Sequence, residues 1–68
     1  MWEYKIYKTD LWYGIYRKKY VGKVMIMQFL NWYEMWSKDK DTSKIYYREE
    51  DATWALASIK MKDGKESD

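Results

Sequence analysis

Four cations and two phenol rings lie close together in one short segment of the chain. They are Tyr16, Arg17, Lys18, Lys19, Tyr20 and Lys23. Sets of this kind bind single-stranded nucleic acid, because the cations pair with phosphates and the rings stack on bases. A second interpretation is a solvated hairpin end whose lysines hinder edge-to-edge aggregation. The segment therefore predicts either a nucleic-acid site or a plain soluble hairpin.

An acidic triplet, Glu49, Glu50 and Asp51, is the other cluster of titratable groups. Carboxylates act as acid–base catalysts when burial or a like charge raises the pKa of one of them. Here the triplet opens a helical pattern, where acids stabilise the positive end of the helix dipole. The chain has no His and no Cys, so imidazole bases and thiolate ligands are absent. We predict a protein that is not an enzyme and that holds no metal or cofactor.

Aromatic side chains are too numerous for the core of so short a chain. Five Trp and eight Tyr occur in 68 residues. A domain of this size buries only about 60% of the surface of its unfolded chain, so some rings are expected on the outside. Trp and Tyr are enriched at binding hot spots. We predict one compact domain over residues 1–63, a disordered tail over 64–68, and an aromatic surface that binds another protein and a second copy of the chain.

Alternating polarity predicts strands at the start of the chain. Residues 2–8 alternate between apolar and polar side chains, as a half-buried strand does. Residues 11–20 are rich in aromatic and β-branched types and form the second strand of a hairpin, after a turn at 8–10. Gly14 inside that strand predicts a bulge or the close approach of a backbone or a ring. Gly22 predicts the next turn, because glycine adopts positive φ without steric cost.

Residues 24–38 contain the longest apolar run, for which two interpretations stay open. The aromatic content favours two strands around a bend near Leu30 and Asn31. The polar residues instead favour a helix, because they recur at spacings of three, three and four. They are Gln28, Asn31, Glu34 and Lys38. We prefer the strands and keep the helix as the alternative.

The clearest element is a helix over residues 49–61, which follows a short predicted strand over 44–47. One stripe of its apolar residues faces the core, namely Ala52, Ala55, Leu56 and Ile59. Gly64 lies where a left-handed cap would end the helix. The predicted fold is α+β: a curled antiparallel meander of four to five short strands with one C-terminal helix. A helix over 24–38 would give the order ββαβα instead.

Trp54 falls about 160° from Leu56 around the predicted helix, so it cannot join the core stripe. It either packs on the flank of the sheet or meets another molecule, and Met61 lies on its side. The predicted partner-binding surface combines these two with rings of the central run: Trp54, Met61, Trp32, Tyr33 and Trp36. A further alternative is a small-ligand sponge with an aromatic pocket at a dimer interface.

Export and membrane insertion are not expected. The apolar run is shorter than the about 20 residues that span a bilayer. The N-terminal residues lack the basic and then apolar pattern of a signal peptide. The sequence therefore predicts a cytoplasmic protein without a membrane partner.

Residues 46–52, which read YYREEDA, are followed by Ala55, Leu56 and Ile59. This segment resembles the strand-into-helix ending of small accessory proteins encoded by bacteriophages. The resemblance implies a protein that interacts with the host, and an inhibitor that occupies the surface of a bacterial defence protein. Such proteins share no active-site motif, so it assigns no role to individual residues.

Overall fold

A C-terminal helix packs on one face of an antiparallel sheet. The computed structural model describes residues 1–66, with side chains as far as Lys62. Within these residues the elements are, in chain order, β1 (Glu3–Lys8), β2 (Tyr13–Val21), β3 (Val24–Leu30), β4 (Trp36–Ser37), a short 3₁₀ helix (Lys40–Thr42) and α1 (Glu49–Glu66). The strands form a meander in the order β1-β2-β3-β4, and each pair is antiparallel. The predicted α+β meander with its C-terminal helix is confirmed.

The central apolar run forms strands, so the alternative helix over 24–38 is wrong. Six residue pairs join β3 to β2, from Val21↔Val24 to Tyr16↔Phe29. The polar residues that suggested a helical stripe have separate roles instead. Gln28 accepts hydrogen bonds from Arg17 on the neighbouring strand, and Asn31 shapes the bend that follows β3. Cross-strand pairing therefore decided a segment whose periodicity was ambiguous.

Register assigns each side chain to one of two faces, because directly opposed residues share a face. The helix face carries Tyr4, Ile6, Ile15, Arg17, Gln28, Leu30 and Trp36, and the far face carries Lys5, Tyr7, Gly14, Tyr16, Lys18, Met27 and Phe29. Helix α1 lies over the first of these faces and contacts mainly β1 and β2. The β3–β4 half of the helix face is consequently less covered than the other half.

The core lies between α1 and the helix face. Ile15 of β2 and Ala52 of α1 are both fully buried, and Leu30 of β3 is nearly so. The predicted stripe of α1 is confirmed, since Leu56 and the other two stripe residues, at positions 55 and 59, are partly buried while Trp54 is exposed. A small residue at position 52 lets the helix backbone approach the sheet closely, which suits so thin a core.

A second cluster of rings packs on the far face. Tyr7 is its centre, with ring centroids 5.6 Å from Trp12, 6.0 Å from Tyr16 and 5.9 Å from Phe29. Tyr7 pairs with Gly14 across the strands, and its ring covers the position where a Cβ of Gly14 would stand. The close approach predicted at Gly14 is confirmed, and the approaching group is an aromatic ring.

Two turns define the hairpins. Thr9 organises the first: its Oγ1 accepts from the backbone N–H of Leu11 and of Trp12, while its own N–H donates to the Trp12 carbonyl. This turn extends to Trp12, so β2 begins at Tyr13, two residues later than predicted. Gly22, with φ of 63°, confirms the second turn. Positive φ at the first of two turn residues is typical of a type II′ hairpin.

Of two further predicted strands, one is absent and the other is shorter than predicted. Residues 44–47 form no strand. In the segment over residues 43–46, Ser43 makes a single bridge to Asn31 and Tyr46 makes a single bridge to Tyr13. This segment crosses from the end of β3 to β2 and therefore pairs with each at one point. The predicted arm over 32–38 pairs only at Trp36–Ser37, because the bend after β3 takes up the preceding residues.

Helix α1 runs to Glu66, beyond the predicted end near Met61. Gly64 lies within it, so the prediction of a left-handed cap there is wrong. The disordered tail predicted over 64–68 extends to residues 67 and 68, which lie outside the described residues. Among the residues described, no helix is long and apolar enough to cross a membrane.

Replacing Gly14 by Ala should destabilise the fold. The added Cβ would overlap the ring of Tyr7, which three neighbouring rings hold in place, and overpacking of this kind costs about 1–3 kcal/mol. Chemical denaturation followed by circular dichroism measures the loss. Ala57→Ser is the control, because it also adds a single heavy atom but at an exposed position on the outer side of α1. A Gly14→Ala protein as stable as the wild type would contradict the close packing.

Candidate functional site

One asparagine closes the bend between β3 and β4. The Oδ1 of Asn31 accepts from the backbone N–H of Tyr33 and of Met35, each at 3.0 Å. The backbone N–H of Asn31 donates to the Met35 carbonyl at 2.9 Å, and its carbonyl accepts from Glu34 at 3.0 Å. Residues 31–35, the 31–35 loop hereafter, are thus cross-linked by four hydrogen bonds from a single residue.

Glu34 holds the loop in an uncommon backbone conformation. Its φ of 59° lies in the left-handed region, where it is the one non-glycine residue of the described chain. This conformation costs about 1–2 kcal/mol for an L-residue. The carboxylate of Glu34 lies 3.4 Å from the Nζ of Lys44, and the backbone N–H of Lys44 donates to the Leu30 carbonyl at the base of the loop. Strain of this kind is found where a loop shape serves a function.

Three large apolar side chains project from this loop into solvent. Tyr33 is 84% exposed, Met35 64% and Trp32 56%. A fixed backbone that presents flat, rigid side chains loses little conformational entropy on binding. The 31–35 loop can therefore serve as a preformed contact surface for another macromolecule.

Trp54 and Met61 form a second exposed surface, on the outer side of α1. They are 77% and 67% exposed, and the exposed Ala57 lies between them. The ring contacts found among the described residues do not join Trp54 to the 31–35 loop. The predicted partner-binding residues thus divide between two elements, the loop and the helix.

Trp36 belongs to neither surface, although it was predicted as a partner contact. Its indole lies 4.3 Å from the guanidinium of Arg17, which stacks on Trp2 from the other side at 4.1 Å. The Nε and one terminal nitrogen of Arg17 donate to Gln28 at 2.9 and 2.7 Å. This cation–π sandwich leaves Trp36 half-buried. Only the strand register that places β4 beside β3 brings Arg17 and Trp36 together, so no spacing in the sequence predicts this contact.

The strand period of two divides the predicted nucleic-acid site. Arg17 and Lys19 face the helix side with Gln28, whereas Tyr16, Lys18 and Tyr20 occupy the far face. The ring nearest the ammonium of Lys19 is Trp2, at 4.5 Å, rather than either phenol. Lys23 lies in the turn. Binding of single-stranded nucleic acid stays a prediction, and the residues of a single face of the sheet would have to make all the contacts.

Burial shifts the acidities of two phenols. Burial raises the pKa of Tyr7 above its ordinary value of 10.0, and Ser43 lowers it by less. Burial likewise raises the pKa of Tyr46, against the opposing charge of Lys44. Both phenols stay protonated at neutral pH. Among the described residues, no three acidic side chains gather to hold a metal ion.

Asn31 is the functional candidate that the sequence prediction missed. The sequence pattern places it in a helical stripe or in a bend and predicts no role for its side chain. The sequence does contain a signal for this role, because Asn31 lies directly before two aromatic residues at a bend. An Asn side chain often accepts a hydrogen bond from the backbone N–H two residues later in the chain.

Comparisons of the chain with protein-family models, with curated proteins and with solved structures give no match. The resemblance to bacteriophage accessory proteins stays a prediction from the sequence.

Replacing Asn31 by Ala should loosen the 31–35 loop. Two backbone N–H groups lose their acceptor, and at about 1 kcal/mol or less for each exposed bond the free energy of unfolding should fall by about 1–2 kcal/mol. Hydrogen exchange followed by NMR should show faster exchange at the amides of Tyr33 and Met35. Asn31→Asp keeps the acceptor oxygen and should keep most of the protection. Unchanged exchange in Asn31→Ala would mean that other contacts shape the loop.

Proposed function

We propose that this chain is a small, non-enzymatic protein-binding module and that the 31–35 loop makes the principal contact. The observation that carries the proposal is the display of three large apolar side chains on a backbone closed by Asn31. Surfaces of this composition are typical of protein interfaces.

The energetics of the loop suit tight binding by a small protein. Trp and Tyr dominate interface hot spots, because each buries a large area with few rotatable bonds. A backbone already fixed by Asn31 also avoids the entropic cost of ordering the loop when a partner binds. Trp32 and Tyr33 would supply the anchors, and Met35 would adapt to the shape of the partner.

The partner that the sequence resemblance implies is a bacterial host protein, with a defence protein as the specific proposal. The chain would act by covering a surface of that protein, and this requires no catalytic group, cofactor or metal. A cytoplasmic setting is part of the same proposal. The outer face of α1, with Trp54 and Met61, would support self-association into a homodimer.

The partner contact is tested by affinity capture from a bacterial lysate with matched variants. The double variant Trp32→Ala, Tyr33→Ala should lose a captured protein by at least about tenfold, because truncating hot-spot residues costs about 2 kcal/mol or more each. Tyr47→Ala is the control, since Tyr47 is equally exposed but lies outside the loop. Quantitative mass spectrometry of the captured protein is the measurement. Equal recovery with the loop variant and the wild type would exclude the loop as the contact.

Self-association is tested by light scattering on concentrated protein. Wild type should have the mass of a dimer, and Trp54→Ala should be monomeric, because the variant removes the largest exposed ring of the α1 face. Trp32→Ala should stay dimeric, which separates the two surfaces. A monomeric wild type at high concentration would remove the dimer from the proposal and leave the partner contact standing.

A further inference from the structure

Helix α1 carries two stripes of apolar or small side chains with the same spacing. The buried stripe consists of Ala52, Ala55, Leu56 and Ile59, and an exposed stripe, the outer stripe hereafter, repeats that spacing two residues later with Trp54, Ala57, Ser58 and Met61. With 3.6 residues for each turn, the two stripes lie about 160° apart around the helix. A helix that is apolar on two opposite sides suits the middle of three layers. The chain itself covers only one of these sides.

The sheet also has an uncovered half, beside α1. Helix α1 contacts mainly β1 and β2, and a cleft of about 730 Å³ opens between the helix and the residues at the end of β3 and in β4. Its apolar lining includes Leu30, Met35 and Trp36 on one side and Ala55 and Ile59 on the other. Half of a four-stranded sheet is about 10 Å wide, which matches the diameter of one helix.

The exposed surface of the chain is larger than a monomer of its mass needs. The accessible surface is 5447 Å², whereas a folded monomer of 8.5 kDa exposes about 4,650 Å². The excess of about 800 Å² equals the area that each partner buries in a protein interface of standard size. The outer stripe and the cleft are two apolar surfaces that can supply this area.

We propose that two copies of the chain form a symmetric dimer in which the outer stripe of each copy occupies the cleft of the other. This inference rests on the proposed self-association and names the surface that receives α1. A two-fold axis that runs parallel to α1, on its cleft side, places the helix of each copy over the β3–β4 half of the other sheet. The contact is the same on both copies, so the assembly closes at two chains.

The two-fold axis fixes which residues meet. Rotation about an axis parallel to α1 leaves every residue at its height along the helix. Leu30 and Trp36 are opposite each other on the helix face of the sheet, and they line the cleft together with Ala55, the residue after Trp54. Trp54 of the second copy therefore stands over Leu30 and Trp36, where the largest exposed ring of α1 meets the apolar part of the cleft.

Small side chains allow the close approach that this dimer requires. Ala52 is fully buried, which shows how near the helix backbone comes to its own sheet. Ala57 and Ser58 give the outer stripe equally small residues between Trp54 and Met61. Ser58 also lines the cleft and leaves room for a second helix at the usual distance of about 8–10 Å between helix axes.

Sedimentation equilibrium on two variants of the 31–35 loop tests the cleft. Met35→Asp puts a carboxylate into the apolar lining and should weaken the dimer at least about tenfold, because the charge would be buried without a partner. Tyr33→Asp is the matched control and should leave the dimer unchanged, since Tyr33 is exposed in the same loop but outside the lining that the described side chains form. Circular dichroism checks that each variant folds. Equal dimer affinity of Met35→Asp and wild type would overturn the proposal.

Filtered NMR on an equal mixture of ¹³C-labelled and unlabelled wild-type chains tests the contact without any variant. Nuclear Overhauser effects should join the indole of Trp54 to the methyl groups of Leu30 across the two copies, because the outer stripe faces away from the sheet of its own chain. Effects that join Trp54 only to α1 of the second copy would mean that the helices pack back to back, and the proposal would be wrong.

The outcomes separate this inference from the proposed self-association. A wild type that is monomeric in concentrated solution removes both. A dimer that Trp54→Ala breaks, Met35→Asp leaves intact and no signal joins to Leu30 overturns the cleft contact and leaves self-association through α1 standing. The double variant Trp32→Ala, Tyr33→Ala should stay dimeric, so the partner contact of the 31–35 loop is judged independently.

Discussion

The structure depends on the burial of one thin layer between helix and sheet. Ile15 and Ala52 are its fully buried members, with Leu30 close to them in exposure. A chain of 68 residues cannot cover both faces of a four-stranded sheet with one helix, so α1 contacts mainly β1 and β2. The remaining half of the helix face borders a cleft of about 730 Å³ beside α1, and the far face is covered by ring packing. Both surfaces follow from a core that is too small to close over the whole sheet.

Contacts between aromatic rings supply much of the stabilisation that a larger core would provide. Tyr7 gathers three rings on the far face, and Arg17 lies between two indoles on the helix face. Such contacts contribute about 0.5–1.5 kcal/mol for a ring pair and a similar amount for a partly buried cation–π pair. Some of the aromatic rings that do not fit into the core are thus packed against other groups of the same chain. Within the described side chains, Trp32 and Trp54 are the indoles left mostly in water.

The cleft and the 31–35 loop share a boundary. Glu34 and Met35 line the cleft and are also held by Asn31 in the loop. Lys44 joins the two, because its ammonium meets Glu34 and its backbone N–H meets the end of β3. The cleft and the loop are therefore adjoining parts of one surface.

Local patterns in the sequence were enough for the elements that depend on near neighbours. The alternation in β1, the turns at Thr9 and Gly22 and the buried stripe of α1 are all set by residues two to four positions apart. Gly14 was also recognisable, as a position that needs a close approach, although Tyr7 as the approaching group was not. The exposure of Trp54 followed from helical geometry alone.

Tertiary structure alone decided the composition of the sites. Trp36 joins Arg17 and Lys44 reaches Glu34 through contacts between residues at least ten positions apart. The composition of residues 44–47 predicts a strand, yet a single bridge between Tyr46 and Tyr13 is the only strand pairing that these residues make. Side-chain type sets what a residue can bind, whereas strand register and the placement of α1 on half of the sheet set what lies beside it.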